Sequence, residues 1–165
     1  MIDLKEIKNN ILKKENFYFL IIISTIFILD RYSKTQIVKD FSDTIFYVNN
    51  YLNFDLIWNT GIGFGLLSSG SAFFYNAVSI LIGCIVLLLF FIAFKSDKYD
   101  KFILSIVIGG ALGNFYDRIY FSAVPDFIDL HYGNFHWFTF NLADIFITTG
   151  IMLYLIKGFF FKEGT

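Results

Sequence analysis

Four long apolar stretches divide the chain, and the polar segments between them differ sharply in character. The first apolar run, Phe17 to Leu29, has 13 residues. At 1.5 Å per residue that is roughly 20 Å, too short for a hydrocarbon core of about 30 Å. The pattern therefore predicts a helix that continues through Asp30-Arg31-Tyr32-Ser33-Lys34 to Val38, with its charges at the far end. Ala72 to Phe94 is a second span, and Phe102 to Phe121 a third, interrupted near its end by Asn114, Asp117 and Arg118. The fourth runs from about Trp137 to Phe161. Between the first two spans, Thr44 to Trp58 is rich in β-branched and aromatic residues, with Asn49-Asn50 as a turn. It predicts one or two short strands on a membrane surface. Residues 122–136 read as a loop, and residues 1–16 as a short amphipathic surface helix. A basic start before an apolar core also fits a secretory signal peptide. No small-x-small cleavage site follows and three more spans do, so a retained anchor is expected.

Composition agrees with this pattern. At 165 residues one domain is expected. Apolar residues make up 56% of the chain and charged residues 16%, with mean hydropathy +0.63. Soluble domains carry roughly 25% charged residues, so an all-α membrane protein of four transmembrane helices is the natural class. The single cysteine, Cys84, excludes an internal disulfide and a thiolate metal cluster. It lies in an apolar run, where a thiol acts as a small hydrophobe.

Charge is distributed unevenly between the connections. Nine of the thirteen Lys and Arg lie in the N-terminal tail, the 95–101 loop and the C-terminal end. The other connections hold Arg31, Lys34, Lys39 and Arg118. The positive-inside rule places both termini in the cytoplasm and the unusual polar residues at the outer face.

Those polar residues are concentrated between Gly109 and Asp144, which contains Asp117, Asp126, Asp129, Asp144, Arg118, Asn114 and Asn141. Ionisable groups at membrane depth are expensive and mark functional sites. Asn141 and Asp144 share a helix face, as do Asn114, Asp117 and Arg118. Pro125 biases Val124 towards an extended conformation. With the third and fourth spans antiparallel, Asp126 and Asp144 can face each other. Two adjacent carboxylates share a proton, so one can activate water while the other acts as an acid. That is the aspartic-protease arrangement. Blander readings apply elsewhere: Asp117 with Arg118 as a structural ion pair, Asp129 as a solvated or loop-bracing acid, Asp30 with Lys34 as an i, i+4 pair. The aspartates with His131 and His136 could suit a hard or borderline cation. No H-x-x-x-H or H-E-x-x-H pattern occurs, the histidines read as surface or interface residues, and no metal is expected. WNTGIGFGLL sets Asn59 among glycines, a loop able to bring backbone close to an extended ligand.

Taken together, LDRYSK, WNTGIGFG, GGALGNFYDR, VPDFID and FNLAD resemble, in order and approximate spacing, the lipoprotein signal peptidase (signal peptidase II) family across residues 17–160. The resemblance implies an integral aspartyl endopeptidase of the bacterial cytoplasmic membrane, with no cofactor and no nucleic-acid partner. That family cuts diacylglyceryl-modified prolipoproteins just before the lipidated cysteine. It implies Asp126 and Asp144 as the catalytic pair. Asp30, Lys34, Asn59, Gly110, Asn114, Arg118 and Asn141 are the implied supporting residues. Asn59 would bind substrate backbone, Asn114 and Arg118 would steady the peptide or the catalytic loop, and Asn141 would orient Asp144. Asp30 and Lys34 would fix the first helix. A surface β-platform between the first two spans, fitting 44–64, is implied as well, as is sensitivity to cyclic peptide antibiotics. A monomer would suffice. Pro125 departs from the family, which usually has an aliphatic residue there, and leaves the geometry before Asp126 open. The competing readings are a small transporter or channel using the same carboxylates, and a membrane chaperone that binds lipidated peptides without cutting them.

Overall fold

The computed structural model of the chain describes residues 14–61 and 72–160, the last of these segments by backbone alone at 72–74. The expected N-terminal surface helix and the glycine-rich loop after Gly61 lie outside the described residues, apart from their first or last few positions. Among the described residues four helices form: α1 (Lys14–Asp40), α2 (Ala72–Lys95), α3 (Lys98–Phe121) and α4 (Leu142–Phe160). All four are long and apolar enough to cross a membrane. At 27 residues, α1 is roughly 40 Å long and does continue through its charged segment.

The third helix is the centre of the bundle. It packs against each of the other three, and half of its apolar window is buried inside the protein, against 11% for α4. Phe19 and Ile23 of α1, Ala93 of α2, and Leu104 and Ile108 of α3 make the core. Small residues allow the close approaches. A Cβ at Gly110 would stand 2.6 Å from the carbonyl oxygen of Ala143, and one at Gly109 2.8 Å from Ile26. Membrane helices commonly pack through such small residues because lipid supplies no hydrophobic drive between them. Elsewhere the helices present large apolar side chains outward, among them Ile80, Leu87, Leu88 and Phe159. A surface this apolar suits lipid rather than water.

At one end of the bundle the helix termini meet. Asp97 caps α3 by accepting from the backbone N–H groups of Tyr99 and Asp100, at 2.7 and 2.9 Å, and Lys157 of α4 reaches both Asp97 and Asp100. Lys101 donates to Asn16 of α1.

A sheet occupies the opposite end. Four antiparallel strands run in chain order: β1 (Phe46–Asn49), β2 (Leu52–Asn59), β3 (Val124–Tyr132) and β4 (Phe135–Phe140). The first hairpin turns at Asn50-Tyr51, where the Asn49 side chain accepts from the Tyr51 N–H. The second turns at Gly133, whose positive φ of 59° a glycine supplies without strain. Only half of this sheet lies between the first two spans. The segment 122–136, expected as a loop, is mostly strand, and the fourth span starts at Leu142 rather than Trp137. Residues 124–127 are buried on both faces, so VPDFID shows no clean alternation to mark it as a strand. Pro125 pairs in register with Trp58 at the stretch of β3 beyond the reach of β4, where a missing N–H costs no second ladder bond.

Candidate active site

The polar residues of α1 and α3 form a closed ion cluster. Lys34 is 1% exposed, and its Nζ lies 2.9 Å from Asp30, 2.7 Å from Asp117 and 2.8 Å from the side-chain oxygen of Asn114. Arg31 makes a second ion pair with Asp117 at 2.5 Å and stacks over Tyr116. Asp117 therefore pairs with Lys34 and Arg31 of α1, and the expected pair with Arg118 does not form. Asp30 also accepts from the backbone N–H of Ala143 at 3.1 Å, so a side chain of α1 ties down the first turn of α4. Gly113 faces the Asp30 carboxylate so closely that no Cβ fits between them.

Asp126 and Asp144 are held differently. Asp126, on β3, accepts from Asn59 at 2.8 Å and from Asn141 at 2.6 Å. Asp144, in the first turn of α4, accepts from Asn114 at 2.7 Å and from the backbone N–H of Asn141 at 3.1 Å. The Asn141 side-chain oxygen in turn receives the Asp144 N–H at 3.2 Å. Asn141 and Asp144 thus form a reciprocal capping box, in which cap and third helical residue satisfy each other's backbone N–H. The spare amide N–H of the cap points to Asp126. One fully buried asparagine consequently touches both carboxylates.

The side-chain orientations follow from the ion cluster. Lys34 can only donate, so it fixes the carbonyl side of Asn114 and turns the amide nitrogen to Asp144. The Asn59 oxygen is likewise taken by the Gly61 N–H at 2.7 Å, which leaves its nitrogen for Asp126. Among the described residues no cation touches either acid. Burial pushes the Asp126 carboxyl above the usual aspartate range, and the nearby Asp144 charge adds to that, while the bonds from Asn59 and Asn141 and the charge of Lys34 oppose it.

The remaining expected residues separate by role. Gly110 is a spacer between α3 and α4, outside the hydrogen-bonded set. Arg118 lies beneath Gly61, with Nε and Nη1 buried and without a hydrogen-bond partner among the described residues. Its guanidinium borders the space before residue 62. Asp129 is not solvated: it is 2% exposed and bonded to His136. Arg31 was missed as a structural residue, because a basic residue beside an i, i+4 pair gives no sign of which helix it will face.

Fold and site define a multi-pass membrane protein in which two carboxylates from different elements converge on one buried asparagine. The model of the family described as Signal peptidase (SPase) II matches residues 22–160. The chain is 46% identical over 158 residues to a lipoprotein signal peptidase of Pelagibacter ubique, covering 93% of this chain and 95% of that one. It is 37% identical to the lipoprotein signal peptidase of Aquifex aeolicus, over 94% and 93% of the two chains. Two solved structures described as a bacterial membrane enzyme, determined by the in meso method, superpose with TM-scores of 0.68 and 0.70 at 28% and 29% identity. They cover 90% and 84% of this chain, and the alignments span 93% and 90% of theirs. The chain belongs to the signal peptidase II family and is an aspartic peptidase. Membership favours this reading over the transporter alternative.

Proposed function

We propose that Asp126 and Asp144 are the catalytic pair of a membrane endopeptidase that removes the signal peptide of diacylglyceryl-modified prolipoproteins, cutting before the lipidated cysteine. The carrying observation is that these two carboxylates, from different elements, converge on Asn141 and are held by neutral amides alone. Asp144 takes a proton from the attacking water as the water adds to the scissile carbonyl. Asp126, whose carboxyl burial keeps readily protonated, gives its proton to the leaving amine. No metal or covalent intermediate is needed. A substrate helix shields its own backbone, so the scissile segment must lie extended beside the pair. Asn59 at the end of β2, and Arg118 of α3 with its guanidinium beside Gly61, stand where such a segment would be held.

The positive-inside pattern supports an orientation with both termini cytoplasmic and the sheet and carboxylates at the outer face of the bacterial cytoplasmic membrane. One chain carries the whole set, so a monomer suffices. The test is cleavage by the purified protein in detergent of a peptide with a diacylglyceryl cysteine, beside the same peptide unmodified. Selective cleavage of the lipidated form, lost in Asp126→Asn and in Asp144→Asn, is the expected result. Cleavage that survives either substitution in a folded variant overturns the pair. Labelling of single cysteines at positions 50 and 98 by an impermeant maleimide, in a variant with Cys84 replaced, checks orientation; position 50 should react in intact spheroplasts and position 98 should not.

A further inference from the structure

Beyond the carboxylate pair, a second group of ligand-type side chains meets on the sheet. Asp129 and His131 are two apart on β3, and His136 of β4 is the direct cross-strand partner of His131. A two-residue step along one strand keeps side chains on one face, and the register adds the third from the neighbouring strand. One ligand atom from each of the three lies within 4.8 Å of the others. Asp129 Oδ2 is 2.8 Å from His136 Nδ1 and 3.5 Å from His131 Nδ1. The two imidazoles stack with centroids 5.3 Å apart.

Bracing of the hairpin accounts for the bond between Asp129 and His136. It does not account for His131. That side chain is more than nine-tenths buried, and its Nδ1 points at the carboxylate without making a hydrogen bond. A buried nitrogen left unpaired costs about 1–3 kcal/mol. Asn53, which faces Asp129 across the β2–β3 ladder, also has a buried side-chain oxygen without a partner. Two buried lone pairs without a hydrogen bond, beside a carboxylate and a second imidazole, make a donor set that a cation can take up.

We propose that Asp129, His131 and His136 bind one divalent transition-metal ion of the zinc type at the turn end of the β3–β4 hairpin. Zinc holds imidazole nitrogen and carboxylate oxygen at about 2.0–2.2 Å, so tetrahedral ligand atoms stand roughly 3.3 Å apart. The observed 2.8 and 3.5 Å lie on either side of that spacing, and with all three ligand atoms within 4.8 Å of one another the side chains close around the ion by small rotations. Two imidazoles and one carboxylate suit a borderline cation better than magnesium or calcium. His136 exchanges its Nδ1–H tautomer for the Nε2–H form when the metal arrives. His131 also borders an open cavity of about 630 Å³ with Tyr47, Asn50, Tyr51, Tyr132 and Gly133, which gives the ion a way in. Strand β3 carries Asp126 at its other end, and β4 leads into Asn141. A metal at the turn therefore cross-links the two strands that position the carboxylate pair. The proposal does not depend on the peptidase reading.

The test uses the full chain in detergent with any affinity tag removed and metal stripped, titrated with Co²⁺ and then with Zn²⁺. The expected result is one Co²⁺ per chain with a visible d–d band that Zn²⁺ abolishes, and a higher unfolding temperature with Zn²⁺. Losing a ligand costs more than losing one of its outer-shell supports, so His136→Ala and His131→Gln should weaken binding by well over about tenfold. His136 is exposed, so its substitution is compatible with folding even if the change at His131 is not. Asp126→Asn should bind as the wild type does, which separates this site from the carboxylate pair. Absence of a Zn²⁺-displaceable band, or a band undiminished by His136→Ala, overturns the proposal and leaves the histidines as a hairpin brace.

Discussion

Two pairs of aspartates stand near each other at one end of the bundle, and the protein treats them in opposite ways. Asp30 and Asp117 are enclosed with Lys34 and Arg31, so each negative charge has a cation beside it. Asp126 and Asp144 receive only amide N–H groups. An acid enclosed by a buried lysine and an arginine has its oxygens committed to ion pairs and serves as structure. An acid held by neutral donors is fixed in place without a cation tied to it. Asn114 joins the two regions, since it accepts from Lys34 and donates to Asp144. The charged cluster thus fixes the amide that holds Asp144.

The comparison breaks most visibly at the carboxylate pair. Replacing Asp126 or Asp144 with Asn should lower kcat by about 10⁴-fold or more, as for residues that act as a unit, while the folded fraction seen by size-exclusion chromatography is unchanged. Lys34→Met should do the reverse. It takes the close cation from Asp30 and leaves Asp117 with Arg31 alone, at a cost of about 3–5 kcal/mol, and should appear as lost folded protein and a lower unfolding midpoint. Gly110→Ala, which drives a methyl group into the Ala143 carbonyl, should cost about 1–3 kcal/mol by overpacking, read from the same melts.

Asn114→Leu sharpens the link between the regions. Losing one hydrogen bond to a charged group, about 1.5–3 kcal/mol, should cut kcat roughly 10–100-fold with KM little changed. The smallest effect is one of sign. Burial raises the Asp126 carboxyl, so its contribution to stability is complete below the ordinary aspartate range and is lost as pH rises through its raised value. Asp126→Asn should therefore melt higher than wild type at neutral pH, with the gain fading towards acid pH. Parallel melts across that range decide it, and a gain that grows on acidification contradicts the burial argument.

Legibility in the sequence differed between these regions for physical reasons. The four spans were readable because a membrane demands long apolar helices, and α1 had to run through Asp30 to reach its length. The Asp30–Lys34 pair was readable because i, i+4 spacing is local. Asp117 was not, because helix rotation and packing decided that it meets α1 instead of its neighbour Arg118. The spacing of Asn141 and Asp144 is a capping box in plain view, yet its third contact, to Asp126, depends on a strand from another part of the chain. The second hairpin was hidden because the first part of its leading strand, residues 124–127, is buried on both faces and carries Pro125 and Asp126 rather than a clean alternation.

By itself, the amino-acid sequence determined the membrane class, the spans, their charge asymmetry and the few acids able to do chemistry, because hydropathy and helical spacing act over short distances. Only the tertiary structure decided which acids are neutralised by cations and which are left to amides. It also decided that Asp129, His131 and His136 meet. These outcomes turn on the register between strands and on the close approach of α3 to its neighbours, and no local pattern along the chain encodes either.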